Sequence, residues 1–304
     1  MKSITIIALF IKVALAVTVA VLSTTILFGQ EIAEKARMAE KAAKAEHKMK
    51  HKEFCANNSW SNGDRVSFNE VREFAVPASG FVSVDAGRNG GVGIKGENRS
   101  DIAVKACVQA WGTSEEAARS LASSVRIPSS TTIRADGPSS EEGWAVSYQV
   151  LVPRNTDLKL IANNGGISIS SVEGRLDFET KNGGVNLKDV AGEVRGRTTN
   201  GGVNVALTGN RWKGSGLDVQ TTNGGVHLTM AETYAANIET GTTNGGFRSD
   251  IPALNVTTEN VKGDDYGRRR STNIVTAFNG GGAPIRVITT NGGIKISSTE
   301  IKTN

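Results

Sequence analysis

A tripeptide, Asn-Gly-Gly, recurs through this chain with a strand-like phrase on either side, and that recurrence narrows the fold more than any other feature. It begins at Asn89, Asn164, Asn182, Asn200, Asn223, Asn244, Asn279 and Asn291. From Asn164 to Asn244 successive copies lie 18, 18, 23 and 21 residues apart. A near-constant period of about 20 residues marks a repeat architecture, in which each copy is too small to bury its own apolar face and stacks on its neighbours.

The flanks repeat with the triplet. Three and five residues after the Asn stand Ile167/Ile169, Val185/Leu187, Val203/Val205, Val226/Leu228 and Ile294/Ile296, with Ser168, Asn186, Asn204, His227 and Lys295 between them. Six and four residues before it stand Leu158/Leu160, Leu176/Phe178, Leu217/Val219 and Ile285/Val287. Such alternation predicts half-buried strands on both sides of a turn. Two residues before the Asn comes something small: Ala162, Thr180, Thr198, Thr221, Thr242 or Thr289. Asn and Gly tolerate positive φ, so the triplet is expected to turn in that region.

Two architectures share this pattern. Asn-Gly is a hairpin signal, and a two-residue turn reproduces the observed parity in an antiparallel meander. A stack of parallel coils also explains the constant period, which hairpins do not need. The expected fold is therefore mainly β: a parallel β-solenoid of coils turning at Asn-Gly-Gly over 156–304, the meander being the alternative. Val172-Glu173-Gly174 and Val190-Ala191-Gly192 mark a second corner in two coils. Later coils carry insertions there: Gly209–Gly214, Ala231–Tyr234, and Pro252–Asn273 with Tyr266.

Before the repeats, residues 54–155 read as a separate β-rich subdomain. Strands are expected at Arg72–Val76, Phe81–Asp85, Val92–Lys95, Asp101–Ala110, Thr131–Ala135 and Trp144–Val152. One helix is expected over 114–126, capped by Thr113 or Ser114, with Glu115 and Glu116 in its first turn and Ala117, Leu121 and Val125 on its buried face.

Ile4–Phe28 is apolar except for Lys12 and a few hydroxyls, and is long enough to cross a bilayer. Residues 1–29 are read as a signal peptide or an uncleaved signal anchor. The Lys and Arg residues that follow the span, Lys35 to Lys48, argue for a cytoplasmic C-terminal side. The cysteine pair and the Thr/Asn/Gly-rich β region argue for export, which is the reading adopted. Residues 30–53 interleave alanines with Glu and Lys, including Glu31–Lys35 and Glu40–Lys44 at helical spacing, and read as a charged helical linker. An exported chain with two cysteines, Cys55 and Cys107, is expected to pair them; two buried thiols are the alternative.

Net charge is +5, and about two of those charges belong to the linker, with seven Lys/Arg against five Glu. With 5% aromatics and no binding motif, the basic excess is no nucleic-acid footprint. His47 and His51 lie in the linker, and His227 fills a position held by Ser, Asn or Lys in other coils. No nucleophile elbow, phosphate loop, Cys-x-x-Cys or calcium repeat is present, so no catalytic residue, metal ligand or cofactor is expected. Asp177, Asp218 and Glu239 form a sparse outward acidic row that reads first as a solvated face. The candidate ligand contacts are Trp212 between Arg211 and Lys213, with Tyr234 on the next insertion: exposed aromatics beside cations stack on sugar rings, or else they fold over the edge as packing.

The phrases TTNGGVNV, TTNGGVHL and TTNGGIKI, after an N-terminal export segment, resemble the bacterial putative-adhesin family of unknown function, related to the auto-transporter adhesin head GIN domain. The resemblance spans about Val66–Ser298. It implies a β-solenoid in the envelope or on the surface, a role in adhesion by analogy, and no catalytic residues. The function expected is a non-enzymatic envelope or surface binding protein, membrane-attached through its N-terminal segment, with a cell-wall or surface glycan or another envelope protein as partner. An accessory protein of envelope-stress sensing and a polysaccharide-active β-helix enzyme are the alternatives.

Overall fold

The computed structural model describes residues 54–55, 65–139, 143–254 and 272–299. The expected export segment and linker, the middle of the acidic loop before Trp144, and the insertion residues 255–271 with Tyr266 lie outside them. The described residues from 65 onward form one compact unit.

Nineteen strands and one α-helix are described in that unit. In chain order they are β1 (Val66–Pro77), β2 (Phe81–Asp85), β3 (Val92–Glu97), β4 (Asp101–Gly112), α1 (Glu115–Ser124), β5 (Thr132–Arg134), β6 (Trp144–Pro153), β7 (Asp157–Ala162), β8 (Ile167–Ser170), β9 (Glu173–Thr180) and β10 (Val185–Lys188). There follow β11 (Ala191–Asn200), β12 (Val203–Ala206), β13 (Gly216–Asn223), β14 (Val226–Met230), β15 (Ala236–Asn244), β16 (Phe247–Ser249), β17 (Thr272–Phe278), β18 (Pro284–Asn291) and β19 (Ile294–Ser298). They make two sheets. The first runs β1-β4-β6-β3-β8-β10-β12-β14-β19-β16 and the second β17-β15-β18-β13-β11-β9-β7-β2-β5.

Within each sheet the pairing is parallel for most strands, so the chain rises coil by coil and gives one strand to each sheet per turn. Among the described strands, antiparallel pairing is confined to β1–β4–β6 at one end and β15–β17 at the other. The meander is thereby set aside, and the architecture is mainly β and solenoid-like. The flanking positions named above fill the core: Leu158, Leu160, Leu176, Phe178, Leu217 and Val219 from one sheet meet Ile167, Ile169, Val185, Leu187, Val226 and Leu228 from the other, all buried.

The stacking order departs from the chain order at one place. β13 pairs with β18, and β18 in turn with β15; likewise β14 pairs with β19, and β19 with β16. The last coil therefore lies between the two that precede it in sequence.

The expected boundary at 155/156 does not separate two units. β2 pairs with β7 and β3 with β8, so both sheets run through it unbroken. The segment around Asn89 is itself a coil of the stack. It escapes the sequence pattern because its buried valines, Val82 and Val84, lie one residue too far from the Asn. The extra residue is taken up where Gly87 adopts φ 65°.

Ser114 caps α1, its hydroxyl accepting from the Ala117 amide at 3.2 Å. The buried face is Ala118, Ala122 and the following Val125, one residue round from the expected Ala117 and Leu121. Small residues win that face because the helix lies hard against β4: a Cβ on Gly112 would stand 2.6 Å from the Ala118 amide. Arg72 on β1 then caps the other end, donating to the Ala122 carbonyl at 2.7 Å and to that of Val125.

Candidate functional site

The triplet is the natural first place to look for a site, because it gathers polar groups at one corner. Each Asn donates its side-chain amide to the Asn carbonyl of the coil beneath: Asn164 to Asn89, Asn182 to Asn164, Asn200 to Asn182 and Asn223 to Asn200, all within 2.7–2.9 Å. Asn291 continues to Asn223 at 2.8 Å, and Asn244 to Asn291 at 2.7 Å. The small residue two positions earlier has an equally fixed task. Thr180, Thr198, Thr221, Thr289 and Thr242 each donate to a glycine carbonyl of the neighbouring coil at 2.7–2.8 Å. These groups are spent on holding coils together.

Positive φ is not what the triplet requires. None of the glycines in these seven stacked triplets lies in the left-handed region; only the eighth, Asn279-Gly280-Gly281, turns that way, with φ of 49°, 86° and 77° in the loop between β17 and β18. The first glycine is needed for closeness. A Cβ on Gly165, Gly183, Gly201 or Gly224 would stand 2.1 Å from a glycine carbonyl oxygen in the adjacent coil. The second corner does use left-handed backbone, at Ser171 (φ 57°) and Asp189 (φ 54°) directly before the expected residues and at Gly192 (φ 100°) among them. There the Asp189 carboxylate accepts from Thr208 at 2.8 Å and Ser171 at 2.9 Å. The hydrogen bond from Thr208, with Ser171 and the Arg154 charge behind it, holds that carboxyl below its ordinary range.

The expected aromatic ligand contacts are corrected. Trp212 and Tyr234 are 7% and 1% exposed and belong to the hydrophobic core. Trp212 donates its indole N–H to the Gly192 carbonyl at 3.0 Å, and burial raises the Tyr234 phenol to about 12. An insertion at the edge of a stack leaves the last apolar row uncovered, and a large ring folded inward covers it. Arg211 and Lys213 remain exposed, without the rings between them. Cys55 and Cys107 are both disulfide-bonded.

The acidic row is corrected too. Once the coils are stacked in their true order, Asp177, Asp218 and Glu239 alternate with cations: the register reads Lys159, Asp177, Arg195, Asp218, Arg286, Glu239. Arg286 bridges Asp218 at 2.9 Å and Glu239 at 3.1 Å. Arg175 reaches Asp177 at 3.2 Å and Arg195 reaches Glu193 at 2.7 Å. This outer face of the second sheet carries a depression of about 600 Å³ lined by Lys159, Ile161, Glu179, Arg197, Gln220 and Ile288 among others. It is the feature the sequence reasoning missed, since its residues come together only through the stacking order.

Among the described residues no group of three or more His, Cys, Asp and Glu is placed to hold a metal ion. His227 makes one polar side-chain contact, Nε2 to Ser297 Oγ at 3.0 Å. Among the described residues no helix is long and apolar enough to cross a membrane.

The fold and this face define a mainly β protein of stacked parallel coils with a charged recess on the outer face of its second sheet. By sequence, residues 97–297 match the Toastrack DUF4097 family, and the chain belongs to that family. Among proteins of curated function none matches it. A crystal structure titled as that of a putative cell adhesion protein from Clostridium sporogenes is similar over 76% of this chain and 100% of that one, with 9% identity and a TM-score of 0.38.

Proposed function

We propose that this protein is a non-enzymatic binding protein of the cell envelope, attached through its N-terminal segment and displaying a parallel β-solenoid of Asn-Gly-Gly coils on the extracytoplasmic side. The observation that carries the reading is the recessed, charge-lined outer face of the second sheet, where ionic groups surround a depression and are not all taken up in ion pairs. A binding role suits a face of this kind, because its backbone is held by strands paired on both sides and needs no ordering when a ligand arrives. The disulfide supports an oxidising compartment. The partner is a cell-wall or surface glycan, or another envelope protein. Catalysis is left out of the reading because Asp177, Asp218 and Glu239 are each held by an arginine, which leaves Glu179 without a second free carboxylate to work with.

The test is fractionation of cells carrying the full chain, with protease shaving of intact cells. The chain should sediment with the envelope and lose its β region to external protease, directly or after the outer layer is permeabilised. Recovery in the soluble cytoplasm with a reduced Cys55 and Cys107 would sink the reading, and turnover of any uronic-acid polysaccharide would overturn its non-enzymatic part.

A further inference from the structure

The ion pairs of the outer face leave a remainder. Lys159, Glu179 and Arg197 all line the depression, all are exposed, and none has an ion-pair partner among the described residues. Glu179 and Arg197 stand opposite one another in register on β9 and β11 and still do not pair. One row of the face, read across five neighbouring strands, is Ile161, Glu179, Arg197, Gln220, Ile288, with Lys159 beside Ile161 on the same strand. It offers donors and acceptors in the middle and an aliphatic patch at each end, Ile161 being 40% exposed.

We propose that this depression binds a linear polysaccharide bearing carboxylates, lying along the stack across β7, β9, β11, β13 and β18. The inference rests on the envelope-binding reading above and names its ligand class. Arg197 and Lys159 take the carboxylates, a geometry to which a guanidinium is suited by its two parallel N–H groups. Glu179 and Gln220 take hydroxyl or amide groups, and the two isoleucines pack on the faces of terminal rings. The five strands span about 19 Å from first to last at the usual strand spacing, room for several sugar rings end to end.

Two neighbouring ligand classes fit less well. An extended peptide is normally captured by adding a strand to an open sheet edge. Here every strand under the depression is paired on both sides, so a peptide backbone would find no ladder to join. A neutral glycan is held largely by aromatic platforms. No aromatic ring other than the buried Phe178 borders this depression, and Trp212 and Tyr234 are turned into the core. Charge is what the face has to offer, and a carboxylate is what its unpaired cations select.

The experiment is isothermal titration of the full-length protein in detergent with polygalacturonate and hyaluronan oligosaccharides, with dextran as the neutral polymer and poly-glutamate as the anionic peptide. Binding of an acidic glycan should weaken steeply from about 50 mM to about 500 mM salt, as expected for exposed charges. Arg197→Glu should lower affinity by about tenfold or more, Arg197→Lys by less, and Lys159→Glu should act in the same direction. Arg211→Glu, equally exposed but away from the depression, should leave affinity unchanged. Near-identical unfolding curves for these variants keep the comparison free of folding effects. Wild-type affinity in Arg197→Glu, equal binding of dextran or poly-glutamate, or no binding of either acidic glycan would each overturn the proposal. Any of those results, with the β region still removed by shaving, removes this ligand and leaves the envelope reading standing; a cytoplasmic location removes that reading whatever the titration gives.

Discussion

Asn291 donates its side-chain amide to Asn223 at 2.8 Å, across 68 residues of chain, in the place where sequence order would put Asn244. Asn244 is displaced one coil outward and donates to Asn291 instead. The two copies are interchangeable at the corner, since Thr242 and Thr289 make equivalent bonds to glycine carbonyls. On the outer face this order places Arg286 with a carboxylate on each side, Asp218 and Glu239. Burial works against its charge, and the hydrogen bonds to those two acids outweigh it, so its pKa lies above the ordinary arginine value.

This order is testable by cross-linking. His227 and Lys295 are register partners on adjacent strands, and Lys295 and Arg248 are partners on the next pair. Adjacent strands are about 4.8 Å apart and next-nearest ones about twice that. His227→Cys with Lys295→Cys should be joined by a short thiol-specific linker, and His227→Cys with Arg248→Cys should not. The opposite result, read on a gel after proteolysis, would restore sequence order to the stack.

The two glycines of one triplet should respond very differently to the same change. A methyl on Gly201 would meet the Gly183 carbonyl oxygen at 2.1 Å, whereas on Gly202 its nearest contact is 3.4 Å away. Gly201→Ala forces backbone apart from backbone and should cost about 3 kcal/mol. Gly202→Ala should stay within about 1 kcal/mol, since neither strain nor a left-handed φ opposes it. Urea unfolding of the pair decides the matter.

Much of this was legible beforehand, and the reason is periodicity. Positions such as Leu176, Phe178, Val185 and Leu187 declare themselves by alternation around a repeated corner, and all are buried. What the pattern cannot carry is anything that depends on which coil lies beside which. Asp218 reads as part of an acidic row until Arg286, 68 residues on, is laid against it. The glycines stand where the pattern expects them but for another cause, because a left-handed turn and a close backbone approach select the same side chain. Trp212 misled for a similar reason: a ring between Arg211 and Lys213 looks exposed in sequence, while the fold needs it inside.

Trp212 should accordingly matter for stability and not for binding. Truncating a buried ring and its hydrogen bond to Gly192 is expected to cost about 3–5 kcal/mol. Arg211→Ala and Lys213→Ala, on exposed side chains to either side, should change stability by less than about 0.5 kcal/mol. Thermal or urea unfolding of the three variants gives the contrast directly, and a fully stable Trp212→Ala would return the ring to the surface.

Acid should weaken the second corner in a predictable direction. Hydrogen bonds from Thr208 and Ser171 hold the Asp189 carboxyl below its ordinary range. A carboxyl with a depressed folded-state pKa stabilises fully above its unfolded value of about 3.9, and that contribution fades as pH falls through the folded value. Asn tolerates the left-handed φ of this position and can still accept a hydrogen bond, so Asp189→Asn isolates the charge. The wild-type advantage in urea midpoint should be constant near neutrality and shrink below the ordinary carboxylate range. An advantage that persists unchanged into strong acid would mean the carboxylate charge is not its source.

The core carries one paired substitution of its own, at Phe178 and Gly196. Both stand four residues before their Asn, on adjacent strands in register, where other coils place Leu160, Val219 and Val287. A Cβ on Gly196 would lie 2.0 Å from the Phe178 ring, so the ring occupies the volume its neighbour gives up. Gly196→Ala alone should therefore cost more than about 2 kcal/mol by overpacking. Phe178→Val alone should cost about 2–3 kcal/mol through the cavity it opens. Together the two should cost less than their sum by about 1–3 kcal/mol, because each relieves the defect the other creates. Strict additivity in a double-mutant cycle would show that ring and glycine do not share that space, and that this row of the core tolerates its large residue by some other means.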